Sequence, residues 1–319
     1  MFPPKMLLAV DGSEGSRRAA QLATFLAEGL GYELHVVRVE PMSGVYAYPE
    51  AAIYDPDLWD RVRETDRRTA REKLETEAGA MGLWDRAAGA HAPVGRPDTE
   101  IVRLAEDVRA GLIVVGSRGL GSIRRSVLGS VSDSVVRHAH CPVLVVRQGG
   151  PGGEGRLGPI VLAADGSDES QRAARAATEI SAATGSPVHV VYVMPSEVRL
   201  YGRHYYSRDV KDRLLEEARR EARKFLDERA EFVRSGGGTV TQTYLATGRP
   251  DEEIVKLAEE LDAGMMVVGS RGLGGVRRAL MGSVSDSVVR HAHCPVLVVR
   301  GTEAAGAETA GTTQGSARR

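Results

Sequence analysis

Short apolar runs alternate with longer amphipathic segments along most of the chain. Residues 5–10 are apolar enough to form a buried strand. Residues 13–30 follow with alanine-rich helical spacing, and Asp11 and Ser13 are both candidates to cap that helix. Strand-like and helix-like segments continue to alternate in this way, which predicts right-handed crossovers and a parallel sheet covered by helices on both faces.

The predicted elements are similar in the two halves of the chain. In the first half, strands are expected at residues 5–10, 33–39, about 88–94, 112–115 and 143–146. Helices are expected there at residues 13–30, 57–81, 97–109 and 130–140. In the second half, strands are expected near residues 160–164, 188–193, 239–245, 265–268 and 296–299. The sequence therefore predicts a doubly wound α/β fold that occurs twice.

Sequence repetition supports this division. Residues 129–147 and 282–300 are identical and lie 153 positions apart. Between the halves, residues 148–158 are rich in glycine and are predicted to form a flexible linker. Residues 301–319 lack apolar periodicity and are predicted to be disordered. We therefore expect a first domain over residues 1–147 and a second over residues 159–300.

Composition excludes several classes of function. The net charge of −1 gives no general attraction to nucleic acid or to an acidic membrane. Aromatic residues make up 5% of the chain, too few for a typical base-stacking surface, and no apolar run approaches the roughly 20 residues of a membrane helix. Cys141 and Cys294 are far apart and form no disulfide framework, which favours a reducing, cytoplasmic location.

A glycine-rich loop follows the fourth predicted strand in each half. It contains Gly116, Gly119, Gly129 and Ser130 in the first half, and Gly269, Gly272, Gly282 and Ser283 in the second. Glycines let backbone N–H groups turn toward a ligand, and the following helix offers unpaired N–H groups at its positive end. The loop is therefore a candidate phosphate site, to which the Ser132 hydroxyl and the Arg118 charge would add. The alternative is a surface turn in which Ser130 only caps the helix.

Two familiar phosphate-binding motifs do not match this loop. A P-loop needs a lysine after its last glycine, and none occurs here. The dinucleotide motif GxGxxG fails because Arg124 and Arg277 occupy the third glycine position. NAD is therefore not the expected ligand.

An aspartate follows the first predicted strand in each half, Asp11 in "VDGS" and Asp165 in "ADGS". Ligands of doubly wound folds bind at the carboxyl ends of the strands. If the first and fourth strands are neighbours, the aspartate and the glycine-rich loop converge there. Such a carboxylate can accept hydrogen bonds from ribose hydroxyls, and the alternative is a helix N-cap.

Taken together, these motifs resemble the universal stress protein family in its tandem form. The resemblance rests on Asp-Gly-Ser, "GRPDxEI", the glycine-serine loop and "HCPVLVVR", and it covers nearly all of residues 5–147 and 159–300. It implies a five-stranded parallel sheet of order 3-2-1-4-5 in each domain. It also implies pairing through the fifth strands, as an internal pseudo-dimer and in some assemblies as a homodimer. The family contains members that bind ATP and members that do not, and the loop retained in both halves marks the binders.

The resemblance also assigns roles to individual residues. Asp11 would hold the ribose, Ala9 and Val39 would contact adenine, and the loop would bind the triphosphate with Mg²⁺ or Mn²⁺. The candidates in the first site are Ala9, Asp11, Val39, Gly116, Arg118, Gly119, Gly121, Gly129, Ser130, Val131 and Ser132. Those in the second site are Ala163, Asp165, Val193, Gly269, Arg271, Gly272, Gly274, Gly282, Ser283, Val284 and Ser285. No residue is expected to be catalytic.

The repeated "HAHC" run is a weaker candidate for chemistry. His138 and His140 are two positions apart and would not face one another on a helix, so a metal site is disfavoured. Cys141 and Cys294 are expected to pack in the core and not to act as nucleophiles.

Three functional hypotheses remain open on sequence alone. The leading one is a cytoplasmic ATP-binding stress-response protein in which the ligand changes the surface or the assembly, for a protein partner that the sequence does not identify. The second is a slow ATP hydrolase or nucleotidyl transferase on the same fold. The third is an interaction module without a nucleotide, in which the glycine-rich loop is only a turn.

Overall fold

The computed structural model describes residues 3–42, 57–117, 119, 128–147, 157–195, 208–272 and 281–301. The strands are β1 (Lys5–Ala9), β2 (Glu33–Val37), β3 (Ala87–His91), β4 (Leu112–Gly116), β5 (Val143–Val146), β6 (Ile160–Ala163), β7 (Val188–Pro195), β8 (Val240–Gly248), β9 (Met265–Gly269) and β10 (Val296–Val299). The helices are α1 (Glu14–Leu30), α2 (Leu58–Ala80), α3 (Pro97–Asp107), α4 (Ser130–His138), α5 (Asp168–Thr184), α6 (Arg208–Ser235), α7 (Pro250–Glu260) and α8 (Ser283–His291). Nearly all of the predicted linker and tail lies outside the described residues.

The described strands form one sheet in the order β3-β2-β1-β4-β5-β10-β9-β6-β7-β8. Neighbouring strands within each half are parallel, and each half has the predicted order 3-2-1-4-5. The halves meet where β5 and β10 run antiparallel, with Leu144 opposite Leu297. The predicted doubly wound α/β fold is thereby confirmed.

Alternating side chains of the strands fill two apolar layers. In β1, Met6 and Leu8 enter the cluster beneath α1 and α2, whereas Leu7 enters the cluster beneath α3 and α4. In the second half, α5 and α6 cover the first face, and α7 and α8 cover the second. Because both faces of the inner strands are buried, those strands are almost continuously apolar, which is why their positions were predictable.

Serine and glycine set the ends of the first helix in each half. The Ser13 side chain accepts a hydrogen bond from the Ser16 N–H at 3.1 Å, and Gly31 ends α1 in the left-handed region at φ 67°. Ser167 and Gly185 cap α5 in the same way. Each serine cap fixes the turn between the first strand and its helix, where the aspartates lie.

Several strands differ in length from the prediction, and β2 and β8 differ where the site is expected. β2 ends at Val37, so Val39 lies beyond the strand, next to an isolated bridge between Glu40 and Val94. β8 extends to Gly248 because it pairs with β7 as far as Pro195. None of the helices in the described ranges is both long enough and apolar enough to cross a membrane.

Candidate functional site

The first part of the site is the Asp-Gly-Ser turn after β1. Asp11 is half-buried, and its Oδ1 accepts a hydrogen bond from the Ser13 N–H at 3.0 Å. Ser13 and not Asp11 is the N-cap of α1. The alternative in which Asp11 serves as the helix cap is therefore wrong.

The same turn forms in the second half. Asp165 Oδ1 accepts from the Ser167 N–H at 3.0 Å and from the Ser167 hydroxyl at 2.6 Å. The Asp165 N–H donates to Ser170 Oγ at 3.1 Å. These contacts hold Asp165 at the end of β6 and leave Oδ2 directed toward the glycine-rich loop.

The loop backbone lies directly against each aspartate. A Cβ atom on Gly272 would lie 2.5 Å from Asp165 Oδ2, and one on Gly119 would meet Asp11 Oδ2 at closer range still. Only glycine can bring the chain this near to the carboxylate without displacing it. Because β1 and β4 are neighbours, the aspartate and the loop converge as expected.

The first glycine of the loop is explained by packing. A Cβ atom on Gly116 would lie 2.8 Å from the carbonyl carbon of Gly15. On Gly269 it would lie 2.9 Å from the carbonyl carbon of Glu169. Glycine at this position lets the end of the fourth strand approach the first turn of the first helix. A ligand is not needed to account for it.

The buried serines tie the following helix to the same strand end. Ser132 is 5% exposed, and its hydroxyl donates to the Gly116 carbonyl at 2.6 Å. Ser285 is 4% exposed and donates to the Gly269 carbonyl at the same distance. Each bond fixes the start of α4 or α8 against β4 or β9.

The helices after the loop begin with a glycine cap. Gly129 is the N-cap of α4 and Gly282 is the N-cap of α8, and neither makes a side-chain capping bond. Ser130 and Ser283 are the first helical residues and are exposed. The alternative in which Ser130 caps the helix is therefore wrong. The first N–H groups of an α-helix have no partner within the helix, and their end carries positive partial charge, so both helices offer an anion site.

Apolar side chains flank the site on the face covered by α3 and α4. Val39 belongs to the apolar cluster of that face, and Ala9 and Val131 pack against it. In the second half, Val193 is buried in the same layer, with Ala163 and Val284 beside it. The structure therefore brings the predicted adenine contacts to the face from which the glycine-capped helix begins.

The remaining candidate residues divide into described and undescribed ones. Arg271 is described, and its Nη2 lies 2.7 Å from Glu169 Oε1. Arg118, Gly121 and Gly274 lie outside the described residues.

A hydrogen bond that the sequence did not predict joins each glycine-capped helix to the preceding helix, α4 to α3 and α8 to α7. Ser134 Oγ donates to Asp98 Oδ2 at 2.8 Å, and Ser287 donates to Asp251 at 2.7 Å. Burial alone would raise the pKa of Asp98, but hydrogen bonds from Ser134 and Arg96 outweigh it and hold that pKa below its usual value. The only signal in the sequence was that both partners occur in motifs repeated in the two halves.

The "HAHC" side chains have separate surroundings. His138 Nδ1 lies 2.8 Å from the Ser134 carbonyl, and His140 Nδ1 lies 3.0 Å from Glu106 Oε1. Cys141 and Cys294 are buried free thiols, as the packing interpretation predicted.

Comparison with known proteins agrees with this architecture. Residues 4–147 and 157–300 each match the model of the universal stress protein family. Universal stress protein Rv1996 of Mycobacterium tuberculosis is 29% identical over 311 residues, which are 92% of this chain and 94% of that protein. Universal stress protein MJ0531 of Methanocaldococcus jannaschii is 36% identical over 147 residues, which are 45% of this chain and 82% of that protein.

A solved structure shares the fold of nearly the whole chain. The universal stress protein from Archaeoglobus fulgidus superposes with a TM-score of 0.61 at 23% identity, over 94% of this chain and 99% of that one. The repeated motifs, the strand order and these matches agree with one another. The chain therefore belongs to the universal stress protein family, as a tandem of two of its domains.

Proposed function

We propose that each half of the protein binds one ATP molecule. The observation that carries the proposal is the glycine-capped helix beside an aspartate at the ends of adjacent strands, which occurs twice. A Cβ atom on Gly282 would lie 3.8 Å from the Gly272 nitrogen, and Gly272 in turn rests on Asp165. The helix start, the loop and the carboxylate thus form one contiguous surface. A triphosphate suits the N–H groups at the helix start and their positive partial charge.

The other roles follow from the resemblance to the ATP-binding members of the family. Asp11 and Asp165 would accept hydrogen bonds from the ribose hydroxyls. Ala9 and Val39, or Ala163 and Val193 in the second half, would contact the adenine ring.

A divalent ion would bind mainly through the nucleotide. No three His, Cys, Asp or Glu side chains come together as a metal site within the described ranges. Mg²⁺ commonly keeps several water ligands and takes phosphate oxygens with few protein groups. The exposed Ser130 and Ser283 hydroxyls at the helix starts are the protein oxygens best placed to join such an ion. The residues present therefore fit Mg²⁺ or Mn²⁺ carried by the triphosphate.

We also propose that the two halves act as an internal pseudo-dimer. Support comes from the last residue of each repeated segment, which reaches the other half. Arg300 donates to the Val136 carbonyl at 2.6 Å and to the Ala139 carbonyl at 2.5 Å, near the end of α4. Arg147 donates reciprocally to the Val289 carbonyl of α8. A cation at the C-terminal end of a helix interacts favourably with the helix dipole, so each half stabilises the glycine-capped helix of the other.

The proposed action is recognition and not rapid turnover. Nucleotide binding would change the exposed surface or the assembly of the protein, in the cytoplasm, for a protein partner. Homodimers of the tandem chain are part of the same proposal.

Co-purified nucleotide tests this proposal directly. The purified protein is denatured, and its supernatant is separated by anion exchange with ultraviolet detection. ATP in the supernatant is the expected result, and ADP or AMP alone would favour a hydrolase. No nucleotide, combined with no ATP binding in calorimetry, would contradict the proposal.

Paired substitutions at the helix caps test the site itself. Gly129→Glu with Gly282→Glu places a carboxylate against each triphosphate and is expected to abolish ATP binding. Gly129→Gln with Gly282→Gln is the matched control, because it adds the same bulk without charge. ATP binding that survives in the glutamate variant would show that the site is wrong.

A further inference from the structure

An ionic contact joins the glycine-rich loop of the second half to the first helix of that half, α5. Arg271 Nη2 lies 2.7 Å from Glu169 Oε1, and Arg271 Nε lies 3.1 Å from the same oxygen. The Glu169 side chain is 13% exposed and the Arg271 side chain is 31% exposed. Solvent therefore screens this pair less than a surface ion pair, and the pair holds the guanidinium in place.

The contact lies within the proposed second site. Arg271 directly precedes Gly272, whose backbone rests against Asp165. Glu169 lies in the first turn of α5, where the helix dipole favours an acid. The guanidinium of Arg271 is therefore already paired with a carboxylate of its own half.

The first half has glycine where the second half has this acid. Aligning Asp11 with Asp165 places Gly15 opposite Glu169. The arginine itself is repeated, because Arg118 corresponds to Arg271 in the "GSRG" segment of both halves. The chain thus repeats the arginine without repeating its acidic partner.

We propose that Glu169 is an internal competitor for phosphate, so that the second site binds ATP more weakly than the first. The inference rests on the proposed function, because it concerns the group that Arg271 contacts when ATP is bound. A phosphate oxygen must either displace Glu169 from Arg271 or bind without that arginine. The Glu169 carboxylate also repels the triphosphate through its charge. With Gly15 at this position, the first site lacks the carboxylate that Glu169 supplies in the second.

The effect should depend on the phosphates and not on the nucleoside. Glu169 can compete only with an anion for Arg271. Removing its charge should therefore strengthen ATP binding and leave adenosine binding unchanged. This distinguishes competition at Arg271 from a general change in the shape of the site.

Calorimetry on the full chain tests the inference one site at a time. In a Gly129→Glu background, which leaves the second site, Glu169→Gln is expected to bind ATP about 3- to 10-fold more tightly. In a Gly282→Glu background, which leaves the first site, Gly15→Glu is expected to weaken ATP binding by a similar factor. The second half already carries glutamate at this helix position, so the fold accommodates it. Glu169→Gly replaces Glu169→Gln if the glutamine variant does not fold.

The outcomes separate the two proposals. Equal ATP affinities with and without the Glu169→Gln substitution, or a parallel gain for adenosine, would overturn the competitor role while ATP binding itself stands. Absence of ATP binding to the unsubstituted protein would overturn the proposed function and this inference with it.

Discussion

Arg290 of the second half and Asp133 of the first lie 2.7 Å apart, from Nη2 to Oδ1, where α8 meets α4. The reciprocal pair, Arg137 and Asp286, is separated by 2.5 Å. Each arginine also contacts the aspartate four residues earlier on its own helix. The four side chains form a closed ring of alternating charge, and all are between 30% and 35% exposed. The ring joins the first turn of α4 to the last turn of α8, and the first turn of α8 to the last turn of α4.

Breaking this ring should weaken the contact between the halves. Asp133→Asn removes the charge that two arginines share, and we expect a loss of about 1 kcal/mol in the free energy of unfolding. The loss should shrink at high salt, because partly exposed pairs are screened. Urea unfolding of Asp133→Asn, Arg290→Gln and the double variant measures the interaction between the two residues.

An exposed pair within one helix provides the comparison for this cycle. Lys256 and Glu260 are 66% and 60% exposed and lie 3.8 Å apart. Their interaction should amount to only a few tenths of a kcal/mol. An Asp133–Arg290 interaction no larger than this would contradict a stabilising role for the ring.

The close approach of Gly272 to Asp165 predicts a specific steric cost. Gly272→Ala places a Cβ atom 2.5 Å from Asp165 Oδ2, and we expect a loss of about 1–3 kcal/mol in the free energy of unfolding. Adding Asp165→Ala removes the opposing oxygen, so the double variant should lose less than the sum of the single losses. Urea unfolding measures all three variants.

Gly282→Ala is the matched control for this steric effect. The nearest atoms to a Cβ atom there lie at 3.4 Å, and φ is −76°. We therefore expect a much smaller loss than for Gly272→Ala. If the losses in the free energy of unfolding from Gly272→Ala and Asp165→Ala are strictly additive, then there is no steric contact between the two positions.

The strands could be predicted from the sequence pattern and their order from the family resemblance, but the helix caps could not. Asp11 and Ser13 are both good capping residues, and only the backbone path shows that Ser13 accepts from the Ser16 N–H. Ser130 looked like a cap because serine is common there. In the structure Gly129 takes that place, and its N–H donates to the Ser117 carbonyl at 2.8 Å.

Sequence also cannot tell what each glycine of the loop packs against. Gly116 and Gly119 belong to one motif, yet the first packs against Gly15 and the second against Asp11. Contacts between distant motifs are equally hidden, because no periodicity links Asp98 to Ser134, which lies 36 positions later. Tertiary packing decides both questions.

The buried cysteines should be chemically inert in the folded protein. Cys141 and Cys294 are 1% and 0% exposed, and burial raises the pKa of each thiol to about 12. At pH 8 only about 1 thiol in 10,000 would be a thiolate, which is the reactive form. Ellman's reagent should therefore react only as the protein unfolds, with both thiols titrating in urea. Rapid labelling of the folded protein at pH 8 would contradict this.

A histidine pair joins the edge strand of the first half to its neighbour. His35 Nδ1 on β2 lies 3.1 Å from His91 Nε2 on β3. In the second half, His189 Nδ1 lies 3.2 Å from the Tyr244 hydroxyl, which donates to Gln242 Oε1. Because the Tyr244 hydroxyl gives its hydrogen to Gln242, His189 Nδ1 must carry the hydrogen of the bond between His189 and Tyr244. Protonation of the His189 ring keeps that hydrogen in place. The N–H···N bond of the first half is lost when both rings are protonated, because two cationic donors then face each other.

The surroundings of the pair determine how it responds to pH. Burial lowers the pKa of His35, Lys5 adds to this and Glu33 opposes it. Burial lowers the pKa of His91, and His35 adds to this. The other charged side chains that line the cavity beside His91 are Arg71, Glu75 and Arg103. Histidines with a lowered pKa contribute stability above the unfolded value of about 6.5, and that contribution is lost as the pH falls toward the folded pKa.

Acidification should therefore release β3 before β8. Between pH 7.5 and 5, we expect protection of residues 87–91 against hydrogen exchange, corrected for intrinsic rates, to fall more than that of residues 240–248. His91→Gln keeps a polar side chain without a second titrating ring and should remove most of the difference, worth about 1 kcal/mol for one partly buried hydrogen bond. His189→Gln, which removes the buried histidine of β7, should leave the response of β3 unchanged. If both strands lose protection equally, or if the His91 variant responds as strongly as the unsubstituted protein, then the histidine pair is not the acid-sensitive contact.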